Sequence, residues 1–404
     1  MERPDARGLA PAIPGDFVDM RILVISDLPQ FVTGGAEMQV SRLIEAWLDA
    51  GHEVVCFGRR MGMGPVHIGR HTVPVRRIRT TPLLGRSGRA ASYSLSLAWL
   101  LLRHRHWADI VYTRFLGEAA ATTALLKKFR LLRTPLIATP ANTHGKGDAD
   151  FLRSMPFSRQ VIRLLDSECD AINLIANDMA DELLATGFSG RAFSHIPNGV
   201  PVREVRRRPG PVGIPRFVAV GRLAPQKGYD VLLRAIALIG ERLQPGQVRI
   251  AGGGPEQKRL QGLANDLQIS DRVEWLGELT QKQVADQLAF ADVFLLPSMY
   301  EGFSNAGLEA MERGLPLILT QCGGLDLYVD ANSGWVVPPG DPVALAQSIS
   351  QALITPADRL SAMGASARDC VERNFDILII ADRYIALFDR LKKTPRLAAS
   401  KPAS

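Results

Sequence analysis

Short apolar runs bounded by turn residues alternate with helix-length amphipathic patterns along this chain. They do so in two series, divided by a Pro/Arg-rich stretch from Pro201 to Pro215. The first series has strand-like runs at Arg21–Ile25, Glu53–Phe57, Ile110–Tyr112, Leu136–Thr139 and Ala171–Leu174, with a helix over Ala36–Ala50. The second has runs at Arg216–Val220, Val248–Ala251, Val273–Trp275, Val293–Leu296, Leu317–Leu319 and Trp335–Val337, with a helix over Asp230–Ile239. Strands that alternate with helices need crossover connections and hence parallel sheets covered on both faces. The pattern predicts an α/β chain of two doubly wound sheets in tandem, joined by a linker. A last amphipathic helix spans about Ile377 to Leu391. There is no internal repeat of 20–50 residues.

The 404 residues suffice for two domains. A composition 46% hydrophobic and 22% charged excludes disordered, collagenous and coiled-coil classes. Four cysteines, Cys56, Cys169, Cys322 and Cys370, lie far apart with no C-x-x-C pair. They suggest neither a disulfide framework nor a zinc site, and their apolar neighbours predict buried, inert thiols in a reducing compartment. The longest uncharged run, Pro342 to Ala357, is too short and too polar to span a bilayer. Residues 1–19 lack the apolar core of a signal peptide and read as a disordered leader. Met20, just before the first strand, is a second candidate start, and the tail 394–404 also reads as disordered. These features predict a cytoplasmic protein.

Net charge is +7, but it is unevenly placed. Between Arg59 and Arg133 stand fifteen Lys/Arg against two acids, Asp109 and Glu118, interleaved with the apolar stretch Leu95–Leu102. Residues 59–133 fit contact with an anionic membrane surface or a phosphorylated acceptor, or a solvated basic face beside a core helix. The segment lacks the aromatic interleaving of a base-stacking surface, so nucleic acid is not expected. His104-Arg105-His106 has no carboxylate or cysteine nearby and reads as a solvated loop.

Several motifs stand where strands end. Gly34-Gly35 opens the first helix, either to let amides approach a phosphate or simply to make a tight turn. Arg222 and Lys227 flank a loop from Gly221 to Gly228, and two cations at a strand's carboxyl end suit a diphosphate. Gly252-Gly253-Gly254-Pro255 follows another strand and permits similar close approach. Glu301 and Glu309 stand eight apart, one in a loop after a buried strand and one inside the next helix. Gly302 makes the turn between them, and the amides of Phe303 to Ala306 form the helix N-terminus. An anion site between two carboxylates that accept hydrogen bonds from hydroxyls suits a nucleoside diphosphate sugar.

Taken in order, these motifs resemble the retaining family-4 glycosyltransferases of GT-B architecture, from about Arg21 to Phe388. Their E-x7-E motif is similar to Glu301…Glu309, their G-R-L-x-x-x-K-G loop to Gly221–Gly228, and their I-P-N-G-V hinge to the segment ending Asn198-Gly199-Val200. Gly323-Gly324, Val337–Asp341 and Gly34–Glu37 fit as well. The resemblance implies two Rossmann-like domains facing a cleft. An acceptor domain would span 20–198 and a donor domain 199–374, with a helix at about 375–393 crossing back to the first.

The resemblance also implies roles. Arg222 and Lys227 hold the donor diphosphate and neutralise the leaving group, while Glu301 bonds the donor sugar and Glu309 the ribose. Gly34, Gly35, Asn198, Gly253, Gly254 and Phe303 belong to the donor site, with the amides of Ser304, Asn305 and Ala306 on the phosphates. The base is met largely by backbone near Gly277–Leu279. The expected reaction is a front-face displacement with retention, a donor phosphate oxygen taking the acceptor's proton. It is a hexosyl transfer, with UDP as the expected base, to a glycan or a lipid-linked acceptor in polysaccharide or lipopolysaccharide synthesis. No cofactor and no required divalent metal are expected.

Pro201 departs from the aspartate that usually follows the hinge. His144 and Asp148 are acceptor-side candidates, and Asp148-Ala149-Asp150 is a weaker D-x-D metal candidate. A non-catalytic nucleotide-sugar scaffold and another GT-B enzyme, such as an epimerase or phosphorylase, are the competing classes.

Overall fold

The computed structural model describes residues 19–32, 34–62, 64–81, 85–141, 147–204, 211 and 213–393. The leader before Asp19, the tail after Lys393, His144 and most of the Arg-rich stretch after Glu204 lie outside the described residues.

Two parallel sheets organise the described chain. The first contains β1 (Arg21–Ile25), β2 (Glu53–Gly58), β5 (Val75–Arg77), β6 (Ile110–Arg114), β7 (Leu136–Thr139), β8 (Ala171–Leu174) and β9 (Phe193–His195). Their order is β5-β2-β1-β6-β7-β8-β9, every pairing parallel. A small antiparallel hairpin, β3 (Val66–Ile68) and β4 (His71–Val73), leads into β5. The second sheet contains β10 (Phe217–Val220), β11 (Val248–Ala251), β12 (Val273–Gly277), β13 (Val293–Leu296), β14 (Leu317–Thr320) and β15 (Gly334–Val337), ordered β12-β11-β10-β13-β14-β15. β6, β7, β8, β13 and β14 are buried along their whole length. Burial on both faces is why these strands read as continuous apolar runs. The strand order reverses between β1 and β6 and again between β10 and β13. Ligands of open α/β sheets bind at such switch points.

The two expected doubly wound sheets are therefore present. The hairpin, β5 and β9 escaped the sequence reading because runs of three residues fall below any periodicity signal.

Helix Ile377–Lys393 returns to the first sheet. Tyr384 and Phe388 pack around Trp47 of helix Gly35–Asp49, with ring centroids 5.9 and 5.5 Å away, and Tyr112 of β6 meets Trp47 edge-on at 5.7 Å. The buried Tyr384 hydroxyl accepts a bond from the Asn173 amide at 2.8 Å. The outgoing and returning chain segments run side by side. Val200 N–H donates to Phe375 C=O at 2.9 Å, and Ile377 N–H to Val200 C=O at 3.0 Å. A Cβ on Gly199 would lie 3.1 Å from the Ile377 Cα and 2.9 Å from an Ile380 carbon, so the hinge glycine answers to helix packing.

Three expectations need correction. His104 is not a solvated loop residue. It ends helix Gly85–His104 with its Nδ1 2.8 Å from Leu100 C=O and its ring edge-on to Phe57. Cys56 and Cys169 are fully buried, but Cys322 and Cys370 are only half-buried. The basic stretch is not one face either. Arg114 is 4% exposed, and Lys127 pairs with Asp170 at 2.8 Å. Leu97, Leu100 and Leu101 enter the core, whereas Leu95 and Trp99 stay exposed.

Candidate functional site

The loops after β10, β11 and β13 are knit together by main chain. Gly221 N–H donates to Ala251 C=O at 3.0 Å, Leu223 N–H to Gly253 C=O at 2.8 Å, and Met299 N–H to Gln226 C=O at 2.8 Å. The glycines make this possible. A Cβ on Gly228, whose φ is +63°, would lie 2.0 Å from Pro297 O, and one on Gly252, φ +139°, would lie 2.0 Å from Gly221 O. A Cβ on Gly254 would sit 2.3 Å from Leu223 O. The neighbour that these glycines admit is thus the protein's own backbone.

This framework places the charged side chains. Lys227 forms an ion pair with Glu301, and Ser298 Oγ donates to the same carboxylate at 3.1 Å. Arg222 is exposed, and its side chain makes no hydrogen bond or ion pair with the described residues. Its guanidinium is available to an incoming anion. Glu309, on helix Asn305–Glu312, pairs with Arg42 of the other domain. The buried Ser304 caps that helix by accepting the Gly307 N–H at 3.2 Å. Cys322 lies in the field of Glu301, and burial pushes its thiol up to about 11.

Other candidates fall differently. The Phe303 ring is buried against Phe375, 5.2 Å between centroids, so only its backbone remains for a ligand. Asn198 is buried and donates to Phe303 C=O at 3.1 Å, which makes it a brace between hinge and loop. Asn305 donates to Gly35 C=O at 2.7 Å, and a Cβ on Gly35 would approach that amide to 3.1 Å. Gly34 is extended, with φ −167°, a conformation open to any residue. Asp148 departs from the acceptor-side expectation. It is buried, and its carboxylate accepts Leu116 N–H at 2.7 Å and Ala141 N–H at 2.8 Å, bracing the loops after β6 and β7. Asp150 is held by Arg153 at 3.0 Å, so the D-x-D pair does not converge on a shared site.

Sequence reasoning missed Arg42. On helix Gly35–Asp49, Gly35, Met38 and Arg42 meet Asn305, Gln281 and Glu309. The spacing i, i+3, i+7 makes one stripe down the helix, facing the second domain. A stripe with so little apolar character gives no core signal, and its partners lie more than 240 residues away.

Comparison with known proteins now bears on this arrangement. A family model described as Glycosyltransferase Family 4 matches residues 33–204, and one described as Glycosyl transferases group 1 matches residues 204–369. The putative colanic acid biosynthesis glycosyltransferase WcaL of Escherichia coli is 34% identical over 294 residues, 70% of this chain and 71% of that protein. A GDP-mannose-dependent alpha-(1-6)-phosphatidylinositol monomannoside mannosyltransferase of Mycobacterium tuberculosis is 27% identical over 279 residues, 65% and 71% of the two chains. Among solved structures, sucrose-phosphate synthase of Thermosynechococcus elongatus superposes with a TM-score of 0.73 at 22% identity, covering 92% of this chain and 99% of the other. Anabaena HepE in complex with UDP gives 0.72 at 18% identity, covering 93% and 100%.

Proposed function

This chain belongs to glycosyltransferase family 4 and has the GT-B fold, and from that membership we propose that it moves a hexose, with retention, from a nucleoside diphosphate sugar to a hydroxyl acceptor. The observation that carries the reading is the group at the second switch point. Lys227, Glu301 and Ser298 are joined there, and the Arg222 side chain, on the same loop as Lys227, has no partner among the described residues.

In the proposed reaction the donor diphosphate draws Lys227 from Glu301 and engages the Arg222 fork. Two fixed cations then face the charge that develops on the leaving phosphate. They supply the neutralisation that a divalent ion would otherwise give, so no metal requirement is expected. Glu301, released from Lys227, accepts hydrogen bonds from the donor sugar's hydroxyls. Glu309 exchanges Arg42 for the ribose. The amides at the start of helix Asn305–Glu312 add their dipoles to phosphate binding. A donor phosphate oxygen takes the acceptor's proton as the new bond forms on the face the diphosphate leaves, and configuration is kept.

The similar proteins divide on the base: the mycobacterial relative is GDP-mannose-dependent, and the Anabaena structure is a complex with UDP. UDP remains our reading, with GDP as its competitor. We further propose a glycan or lipid-linked acceptor of cell-surface polysaccharide or lipopolysaccharide synthesis, met at the cytoplasmic face of the membrane. WcaL is named for colanic acid biosynthesis, which supports that setting. No described helix is long and apolar enough to cross a membrane. Contact would be peripheral, through the exposed Leu95 and Trp99, with the Arg103 guanidinium carbon 5.7 Å from the Trp99 ring centre.

The test is thermal unfolding with UDP, GDP, ADP and CMP, with and without Mg²⁺. A ligand at a hundred times its dissociation constant stabilises by about 2.7 kcal/mol. One nucleoside diphosphate should raise the midpoint of the wild type but not of Glu309→Ala. No shift with any of them removes the donor assignment.

A further inference from the structure

We propose that an open pocket at the carboxyl ends of β2 and β5 grips the phosphate or diphosphate of a sugar acceptor through Arg59, Arg60 and Arg77. The inference rests on the glycosyl-transfer reading above and names the acceptor class which that reading leaves broad. The pocket holds about 550 Å³ and adds Phe31, Met61 and Thr80 to the three arginines. That volume suits a sugar with its charged group, being within the ordinary range for small-molecule sites.

The unpaired charge carries the argument. Some arginines elsewhere are matched with acids, as Arg21 is with Asp109, Arg70 with Asp49, Arg216 with Asp292 and Arg249 with Glu274. What sets this place apart is three unpaired ones around one concavity. The guanidinium groups of Arg59, Arg60 and Arg77 make no hydrogen bond or ion pair with the described residues. Two acids stand near: an Asp27 oxygen accepts the Arg60 backbone N–H at 2.8 Å, and Glu37 feels the Arg60 charge without pairing with its guanidinium. Three like charges around one concavity repel each other until an anion enters. Guanidinium forks match phosphate oxygens in geometry as well as charge. The half-buried Phe31 and the buried Met61 offer an apolar wall to the C–H face of a sugar ring.

Position also fits. The pocket stands on the carboxyl edge of the first sheet, where ligands of such sheets bind. Phe31 belongs to the loop that leads from β1 into helix Gly35–Asp49, and the carbonyl of Gly35 at the start of that helix meets Asn305 across the cleft. A molecule anchored by its phosphate at the arginines would extend along that loop toward the donor loops.

The experiment titrates the full chain with four probes: glucose 6-phosphate, a short-prenyl diphosphate-linked hexose in detergent micelles, neutral glucose, and phosphatidylglycerol vesicles. The proteins are wild type, Arg60→Gln/Arg77→Gln and Lys227→Ala. Both arginines of the double variant are exposed, so it should fold like the wild type, and Arg59→Gln is a second variant at the same pocket. At least one phosphorylated probe should bind the wild type tenfold or more tighter than glucose does. The double variant should lose tenfold or more of that affinity, while Lys227→Ala keeps it and loses nucleotide binding instead. Which phosphorylated probe responds separates a soluble sugar phosphate from a lipid diphosphate. Retained affinity in the double variant, loss in Lys227→Ala, equal binding of charged and neutral sugars, or a response to vesicles alone overturns the proposal. Nucleotide binding is read on the same samples, so a failed acceptor pocket and a failed donor site give different patterns.

Discussion

The two sheets share one way of winding, yet their cleft-facing edges are held by different means. In the second domain the loops after β10, β11 and β13 bond to one another through main chain, and glycines let them touch. The first domain's edge also has main-chain links: Ser26 N–H to Phe57 C=O at 3.0 Å, Ile78 N–H to Gly58 C=O at 2.8 Å and Phe115 N–H to Thr139 C=O at 2.8 Å. It adds to them side chains that reach far along the sequence. Asp148 braces two loops, and Asn305 and Glu309 of the other domain hold Gly35 and Arg42. A main-chain framework fixes its site before any ligand arrives and constrains which residues fit. A side-chain framework leaves the composition of its loops free.

The largest effect should come from chemistry held by the rigid half. Lys227→Ala should lower kcat by about 10²- to 10³-fold, the usual loss when one preorganised stabiliser of transition-state charge is removed. Steady-state rates measured with an unchanged circular dichroism spectrum check this, and a loss below tenfold would shift the burden to Arg222. Chelation with EDTA should leave the wild-type rate within about twofold, because the two cations already meet the diphosphate charge.

A pair of glycine substitutions tests the comparison directly. Gly252→Ala puts a Cβ 2.0 Å from Gly221 O at φ +139°, so it should cost about 2 kcal/mol or more. Gly34→Ala meets only the end of the Glu37 side chain, from an extended backbone, and should cost less than about 1 kcal/mol. Denaturant midpoints decide it. Equal losses at the two sites would mean that the two edges are equally rigid.

That asymmetry also governs what could be read from the residues alone. Gly221–Gly228, Gly252–Pro255 and Glu301…Glu309 were legible because each is a local run whose spacing follows from main-chain contacts made by its own loop. The two parallel sheets were legible from the alternation of buried runs with helices. Arg42 was not, since its partner is 267 residues away and nothing beside it in sequence marks it. Asp148, an acceptor-side candidate by sequence, is held by amides of two loops that only the fold brings to it. Phe303 sat inside a binding motif, yet its ring serves the core. The basic stretch was visible as charge, but not its division into a pocket of unmatched arginines and a helix with Leu95 and Trp99 outside.

Arg42→Ala should have a smaller effect, on the ligand-free cleft. Arg42 and Glu309 are largely buried, their side chains 10% and 25% exposed, and the pair joins the domains. Removing Arg42 frees Glu309 for the ribose contact proposed above and unfastens one end of the helix stripe. A pair of this kind contributes about 1 kcal/mol, so the nucleotide should bind about fivefold tighter. The radius of gyration without ligand should rise in the same variant. Unchanged scattering together with unchanged affinity would show the pair to be idle.

The smallest effect is expected at Glu37, in the first turn of helix Gly35–Asp49. Burial raises its carboxyl above the ordinary value of 4.5, against opposing contributions from a backbone hydrogen bond and the Arg114 charge. A carboxyl raised on folding binds more protons in the native than in the unfolded chain. Its ionisation therefore costs stability as pH climbs from about 4.5 through the raised native value, and the cost is complete above it. Glu37→Gln removes the cost. Its unfolding midpoint should match the wild type near pH 4 and pull slightly ahead by pH 7. A variant that instead falls behind at pH 7 would show that the Glu37 carboxylate is held by Arg114 in earnest, and that the first domain's edge is more firmly built than its exposed loops suggest.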